Sequence, residues 1–287
     1  MTKKTKKRNQ TLKIPKLILI TGSFLSLIST KLLVSFAARL FTTPIKHKMP
    51  KREIAMDQKS TQGFFLVPSI EKKIRVYHYG NGPKKILLVH GWSGRGTQLV
   101  TFAEGLEKLG YSTISFDGPA HGKSSGSRTL LPEFIASILA LEKEYGPFDG
   151  AIGHSLGGMA LLNAVHGGLD IPRLVTIGSA DIIQDIMDDF IKKLELKPEI
   201  SDLLCTHFEK NSFRTMNSYS SSQVSKTIEI PVLVVHDEND LEVPVHCAKN
   251  ICEQLDNGLL FLTKNLGHRK ILGDAKVVEK TLNFITQ

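Results

Sequence analysis

FDGAIGHS (148–155) and IPVLVVHD (230–237) read as strands, and so does KKILLVHG (84–91), whose apolar run is continuous, without the alternation that a half-solvated strand shows. Strands of this kind must be covered on both faces, the condition of a parallel sheet held between layers of helices. The intervening segments read as helices. One lies near 97–109 and ends at Gly110; LPEFIASILALEKEYG (131–146) has Pro132 near its start and Gly146 at its end. STISFD (112–117), RLVTIGS (173–179) and LLFLTK (259–264) read as further strands and AKVVEKTLNFIT (275–286) as the last helix. FFLV (64–67) and IRVYHYG (74–80) read as two short strands that precede the alternation. The pattern predicts an α/β fold with a mostly parallel central sheet flanked by helices and right-handed crossovers.

Residues 181–229 are too long for one crossover. The pairs Ile182/Ile183, Ile186/Met187 and Phe190/Ile191, with Leu194, recur every fourth residue and mark an amphipathic helix. Asp181 and Asp185 near its start and Lys192 and Lys193 near its end suit the helix dipole. The expectation is a small helical cap over about 181–229, inserted in a domain of residues 53–287; an ordinary helix followed by a long surface loop is the alternative.

Charge sets residues 1–52 apart. They hold 13 Lys or Arg and no Asp or Glu, which leaves 24 basic and 28 acidic residues, a net −4, for the rest. A nucleic-acid-binding domain would carry its basic patch on the folded body, so no nucleic-acid partner is expected; a basic leading segment suits an anionic membrane surface. After the basic run MTKKTKKRNQTLKIPK come LILITGSFLSLIST (17–30), Lys31 and LLVSFAARLF (32–41). The first apolar run is short of the roughly 20 residues that span a bilayer, and extension past Lys31 buries a charge. Residues 1–52 therefore read as a membrane anchor (spanning or interfacial), as a signal sequence with Ser35-Phe36-Ala37 as its small-residue site, or as a helix packed on the domain. The expected location is membrane-associated or cytoplasmic, or, if the segment spans, with the domain outside. Cys205, Cys247 and Cys252 are odd in number and lack CxxC spacing, so free and mostly buried thiols are expected, which favours a reducing compartment. No histidine pair has metal-ligand spacing; neither metal nor cofactor is expected.

Two glycine turns remain. SFDGPAHGKSSG (115–126) ends in Gly122-Lys123-Ser124 and invites comparison with a phosphate-binding P-loop. The spacing is one residue short, Asp117 stands where the first glycine belongs, and Pro119 removes an N–H donor. Gly153-His154-Ser155-Leu156-Gly157 fits better. G-x-S-x-G between a buried strand and a helix lets the chain turn sharply and hold the serine hydroxyl exposed at the helix N-terminus.

With LLVHGWSGRG (87–96), the 115–126 loop, GHSLGG, HDENDLEVP (236–244) and LGH (266–268), the chain resembles an α/β-hydrolase over about 84–286, in the family order of serine, acid, histidine. The resemblance, to an esterase- or lipase-like serine hydrolase, implies Ser155 as nucleophile, His268 as base and Asp240 as the acid that orients it. Asp237, nearer the strand end, is the competitor for the acid, and a turn aspartate is the plain reading of Asp240. The resemblance also implies an oxyanion hole from the backbone N–H groups of Trp92 and Leu156, and a small acyl substrate, ester or thioester, as partner. His90, His121 and His154 are expected to be structural, His121 by tying its loop to the neighbouring one. Arg269 and Lys270 either meet an anionic substrate or are solvated. Perhydrolase, haloperoxidase or carbon–carbon hydrolase chemistry on the same fold, or a membrane-tethered binding protein without catalysis, are the other readings.

Overall fold

The computed structural model describes residues 14–210 and 214–287; the basic run 1–13 lies outside the described residues. The chain opens with three helices, α1 (Lys16–Ile28), α2 (Thr30–Thr42) and α3 (Lys51–Lys59). Strands β1 (Thr61–Val67), β2 (Lys72–Tyr79) and β3 (Lys84–Val89) follow, then α4 (Val100–Lys108), β4 (Tyr111–Asp117), α5 (Leu131–Tyr145), β5 (Gly150–His154), α6 (Leu156–His166) and β6 (Leu174–Ile177). Helices α7 (Ile183–Lys193), α8 (Glu199–Glu209) and the short α9 (Ser221–Ser225) fill the interval before β7 (Val232–Asp237). The chain closes with α10 (His246–Glu253), β8 (Gly258–Thr263), the single turn α11 (Gly267–Lys270) and α12 (Ala275–Ile285).

One eight-stranded sheet runs in the order β1-β2-β4-β3-β5-β6-β7-β8. β3 to β8 pair in parallel, whereas β2 pairs antiparallel with both β1 and β4. Every residue of β5, β6 and β7 is buried, as expected of mostly apolar strands covered on both faces. Two apolar clusters cover the two faces. One joins α2, α5, α6 and α7 (Leu33, Ile138, Leu161, Met187); the other joins α4 and α12 (Phe102, Leu106, Val277, Phe284). The chain passes from β3 to β4 on one side and then to β5 on the other, so the strand order reverses at β3. The crevice outside the carboxyl ends of β3 and β5 is where such a sheet offers a site.

The apolar run 17–41 forms two helices rather than one. Ser29 is extended (φ −161°) and its Oγ accepts from the Leu32 N–H at 3.4 Å, capping α2. Leu33, Val34, Ala37 and Ala38 are buried in the main core, and Phe41 packs edge-on against Phe190 of α7 at 5.1 Å. The uninterrupted helix that a spanning segment needs is therefore absent. Among the described residues, no helix is long and apolar enough to cross a membrane.

Candidate active site

The turn after β5 is strained in the way its sequence requires. Ser155 has φ 53° and ψ −120°, outside the regions open to most side chains. A Cβ at Gly153 would lie 2.6 Å from the Gly157 carbonyl carbon and oxygen, and one at Gly157 would lie 2.2 Å from the Val89 carbonyl oxygen. Glycine at both positions lets the first turn of α6 press on β3 and β5 while Ser155 heads the helix. The Ser155 N–H donates to Ile177 O at 2.9 Å, fixing the turn to β6. The leading N–H groups of a helix lack intrahelical partners, and Leu156 supplies the first of them here.

The loops after β7 and β8 bring the other two residues together. His268, on α11, donates from Nδ1 to Asp240 Oδ2 at 2.7 Å, and both side chains are buried. The other oxygen, Asp240 Oδ1, accepts the N–H groups of Glu242 (2.8 Å) and Val243 (3.0 Å). Burial pushes the Asp240 carboxyl up, but the His268 hydrogen bond and charge, with those two N–H groups, outweigh it and hold the acid below its ordinary range. The tautomer follows from the geometry: the proton on Nδ1 faces the Asp240 carboxylate, which leaves Nε2 as the ring's acceptor nitrogen.

Asp237 makes other contacts. Its Oδ1 accepts from Gly267 N (2.9 Å) and Asn239 N (3.0 Å), and its Oδ2 from Thr263 Oγ1 (2.8 Å) and Leu266 N (3.0 Å). It ties down the loop that carries His268, and Asp240 is the carboxylate that meets the imidazole.

His154 joins the two halves. Its Nε2 donates to the His268 carbonyl oxygen at 2.9 Å and its ring lies 4.7 Å from the His268 ring. Burial lowers its pKa to about 3, so it places no positive charge beside His268 at neutral pH. His236 donates from Nε2 to Val243 O (2.9 Å), with its own pKa lowered by burial.

The β3 loop lies against the turn from the other side. A Cβ at Gly91 would sit 3.0 Å from Ser155 Cβ, so Trp92 follows directly beside Ser155. Two buried histidines set this loop. His90 accepts the Gly118 N–H at Nε2 (2.8 Å) and donates from Nδ1 to Gly91 O (2.7 Å). His121 accepts the Ser93 N–H at Nε2 (3.0 Å), bonding its loop to the neighbouring one, and its ring meets the Trp92 ring edge-on at 5.1 Å. Burial lowers the two to about 4 and about 3 respectively.

The loop 115–126 inverts what a P-loop does. The Lys123 N–H and that of Gly96 turn toward the protein's own carboxylate: Asp117 accepts from Lys123 N (2.6 Å), Gly96 N (2.7 Å) and Tyr77 Oη (3.0 Å). The Lys123 ammonium is taken by Asp57 at 2.6 Å. Arg269 pairs with Glu242 at 3.2 Å at the surface.

Sequence reasoning missed the connection from the N-terminal helices to this loop. The Ile45 N–H donates to Ser93 Oγ at 2.9 Å, and Arg95 donates to the His47 carbonyl. Glu53 of α3 is buried and accepts from Thr97 Oγ1 at 2.8 Å. A cavity of about 250 Å³ lies under segment 44–49, against Tyr77, Ser93, Asp117 and Lys123; Ser155, Asp240 and His268 do not line it. The one sequence signal was Glu53 itself, the first acid after an acid-free leader. Cys205 and Cys247 are buried free thiols and Cys252 is half-buried. Among the described residues, no group of three or more His, Cys, Asp or Glu side chains is placed to hold a metal ion.

Residues 86–274 match the family model described as the alpha/beta hydrolase family. Among solved structures, a bromoperoxidase from Bacillus anthracis superposes with a TM-score of 0.62 at 18% identity, over 79% of this chain and 100% of that one. Est1E from Butyrivibrio proteoclasticus, solved with ferulic acid bound, gives 0.59 at 21% identity over 76% of this chain and 97% of its own. An esterase from Exiguobacterium antarcticum gives 0.62 at 18% over 79% and 100%. At these identities the likeness is one of fold. No curated protein sequence matches the chain.

Proposed function

The chain belongs to the alpha/beta hydrolase family, and from that premise we propose that it is a serine hydrolase cleaving a carboxylic ester or thioester through an acyl-enzyme on Ser155. The observation that carries this reading is the 2.7 Å Asp240–His268 hydrogen bond, in a pair that His154, next to the serine held at φ 53°, ties down through the His268 carbonyl. A serine hydroxyl is a weak nucleophile until a base takes its proton, and an imidazole with its Nδ1–H fixed by a carboxylate offers Nε2 for that purpose.

In the proposed cycle, Ser155 Oγ attacks the acyl carbonyl while its proton passes to His268 Nε2. Asp240 stabilises the imidazolium that forms. The backbone N–H groups of Trp92 and Leu156 receive the developing oxyanion; one such donor is worth about 2.7–4 kcal/mol in the transition state. The leaving alkoxide or thiolate takes the proton from His268. Water then attacks the acyl-enzyme, gives its proton to Nε2, and the acid departs as Ser155 recovers its own.

The test is labelling of the purified chain with a fluorophosphonate probe, with the adduct mapped by mass spectrometry and an ester and thioester screen run in parallel. The expected result is an adduct on Ser155 that Ser155→Ala abolishes and His268→Ala weakens, with turnover in the screen lowered by about 10⁶ in Ser155→Ala. A folded protein that takes no label overturns the proposal in favour of a binding role.

A further inference from the structure

We infer that the outer face of α1 docks the protein in the plane of an anionic membrane surface, without spanning it. Leu17, Ile20, Phe24, Leu27 and Ile28 follow a spacing of three and four along α1 and share one side of the helix. All five are exposed, Leu27 at 87%, and Leu32 at the start of α2 continues the patch. The opposite side of α1 is already used: Ile14, Ile18 and Leu25 pack against the main core, and Gly22 lies against Leu196 of the cap. A helix apolar on both sides, with one side against the protein and the other in solvent, presents an interaction surface rather than scattered exposure.

Charge identifies the occupant. Lys16 and Lys31, both exposed, flank the patch, and exposed Lys46, Lys48 and Lys51 follow along the chain. Residues 1–52 carry 13 basic and no acidic side chains, whereas the remainder is net −4. Two copies meeting through this face would bring two basic segments together, whereas an anionic bilayer offers apolar depth and opposite charge at once.

Geometry fixes the mode. Thirteen helical residues reach about 20 Å, short of the roughly 30 Å hydrocarbon core. The chain then turns at Ser29 into α2, whose Leu33, Val34, Ala37 and Ala38 are locked in the core. The helix therefore lies in the interface. Phe41 on α2 meets Phe190 at 5.1 Å and Phe208 at 5.8 Å, on α7 and α8, so the membrane seat is joined to the cap. This inference stands independently of the Ser155 chemistry.

The test is co-sedimentation of the full chain with phosphatidylcholine vesicles, with and without phosphatidylglycerol. Binding is expected to the anionic vesicles and to weaken with added salt. Phe24→Ser with Leu27→Ser is expected to lower it by roughly tenfold or more, and Lys16→Gln with Lys31→Gln by a similar factor. These side chains are exposed, so both variants should keep the wild-type melting temperature and fluorophosphonate labelling. Ser155→Ala should bind vesicles as the wild type does, which separates failure of docking from failure of the hydrolase reading. Wild-type protein left in the supernatant with anionic vesicles, or binding indifferent to Phe24→Ser with Leu27→Ser, overturns the inference. So does a concentration-dependent dimer that the same double variant dissolves, which would assign the face to a second copy.

Discussion

Asp117 ends β4 and Asp237 ends β7; both side chains are buried, and each collects hydrogen bonds from two loops at the carboxyl end of the sheet. Their protonation equilibria nevertheless move in opposite directions. Burial raises the pKa of Asp117 despite the N–H groups of Lys123 and Gly96 and the Tyr77 hydroxyl. Burial also acts upward on Asp237, but the N–H groups of Gly267, Leu266 and Asn239 and the Thr263 hydroxyl outweigh it and lower its pKa. The same device, a strand-end carboxylate gathering loop N–H groups, serves on either side of Ser155. Behind Trp92 it holds a loop at an electrostatic cost. Under His268 it holds a loop with charge to spare, which leaves Asp240, three residues on, to face the imidazole.

That division of labour can be broken first at Asp240. Asp240→Asn keeps the volume and removes the charge that fixes the Nδ1 proton, so kcat on an ester substrate is expected to fall by about 10⁴ with little loss of stability. Full activity in this variant would end the distinction between the strand-end Asp237 and the loop Asp240. Asp237→Asn is expected to behave in reverse. Its amide turns a donor toward buried N–H groups, and urea unfolding should report a loss of about 2–4 kcal/mol, with a smaller drop in kcat from the loosened His268 loop.

A finer test compares pH dependence at the two strand ends. Asp237 has a folded pKa below its unfolded value of about 3.9, so its stabilisation is present above that pH and is lost as pH falls through the folded pKa. Asp117 has a raised folded pKa, so its contribution is present below about pH 3.9 and is lost as pH rises through the folded value. The penalty of Asp237→Asn should therefore shrink on acidification and that of Asp117→Asn should grow, each by up to about 1.4 kcal/mol per pH unit within its window. Parallel slopes in denaturation series from about pH 2 to pH 7 would contradict the opposite electrostatics. The smallest expected effect is at Lys123, whose ion pair with Asp57 is partly exposed. Lys123→Met should cost less than about 1 kcal/mol in the same unfolding assay, because solvent screens the pair. A larger loss would make the side chain, and not only the backbone N–H, part of the Asp117 assembly.

Local pattern carried far into this protein. KKILLVHG and IPVLVVHD lack a polar face, and they lie in β3 and β7, inside the sheet. G-x-S-x-G demanded a turn that tolerates no Cβ on either side, and the contacts at Gly153 and Gly157 are of that kind. Periodicity placed a helix from Ile182 onward, where α7 lies. These features are legible because each is dictated by neighbours within about one turn or one strand. The antiparallel placement of β2 between β1 and β4 was not legible, because strand order depends on which edges meet after distant segments collapse. The break at Ser29 was hidden for a related reason: an apolar run reads the same whether it continues or folds back, and burial of Leu33, Val34, Ala37 and Ala38 in the main core made the choice. The family resemblance favours Asp240 over Asp237, three residues before it, but no local pattern shows which of the two side chains faces His268. Which one faces His268 was decided when the β8 loop docked its Leu266 and Gly267 N–H groups on Asp237 and left Asp240 to the imidazole. The sequence determined the strands, the strained serine turn and the acid-free leader, since these follow from covalent geometry, local sterics and composition. Tertiary structure alone decided which contacts Asp237 and Asp240 each make and which side of α1 stays apolar and exposed, since both depend on contacts between segments far apart in the chain.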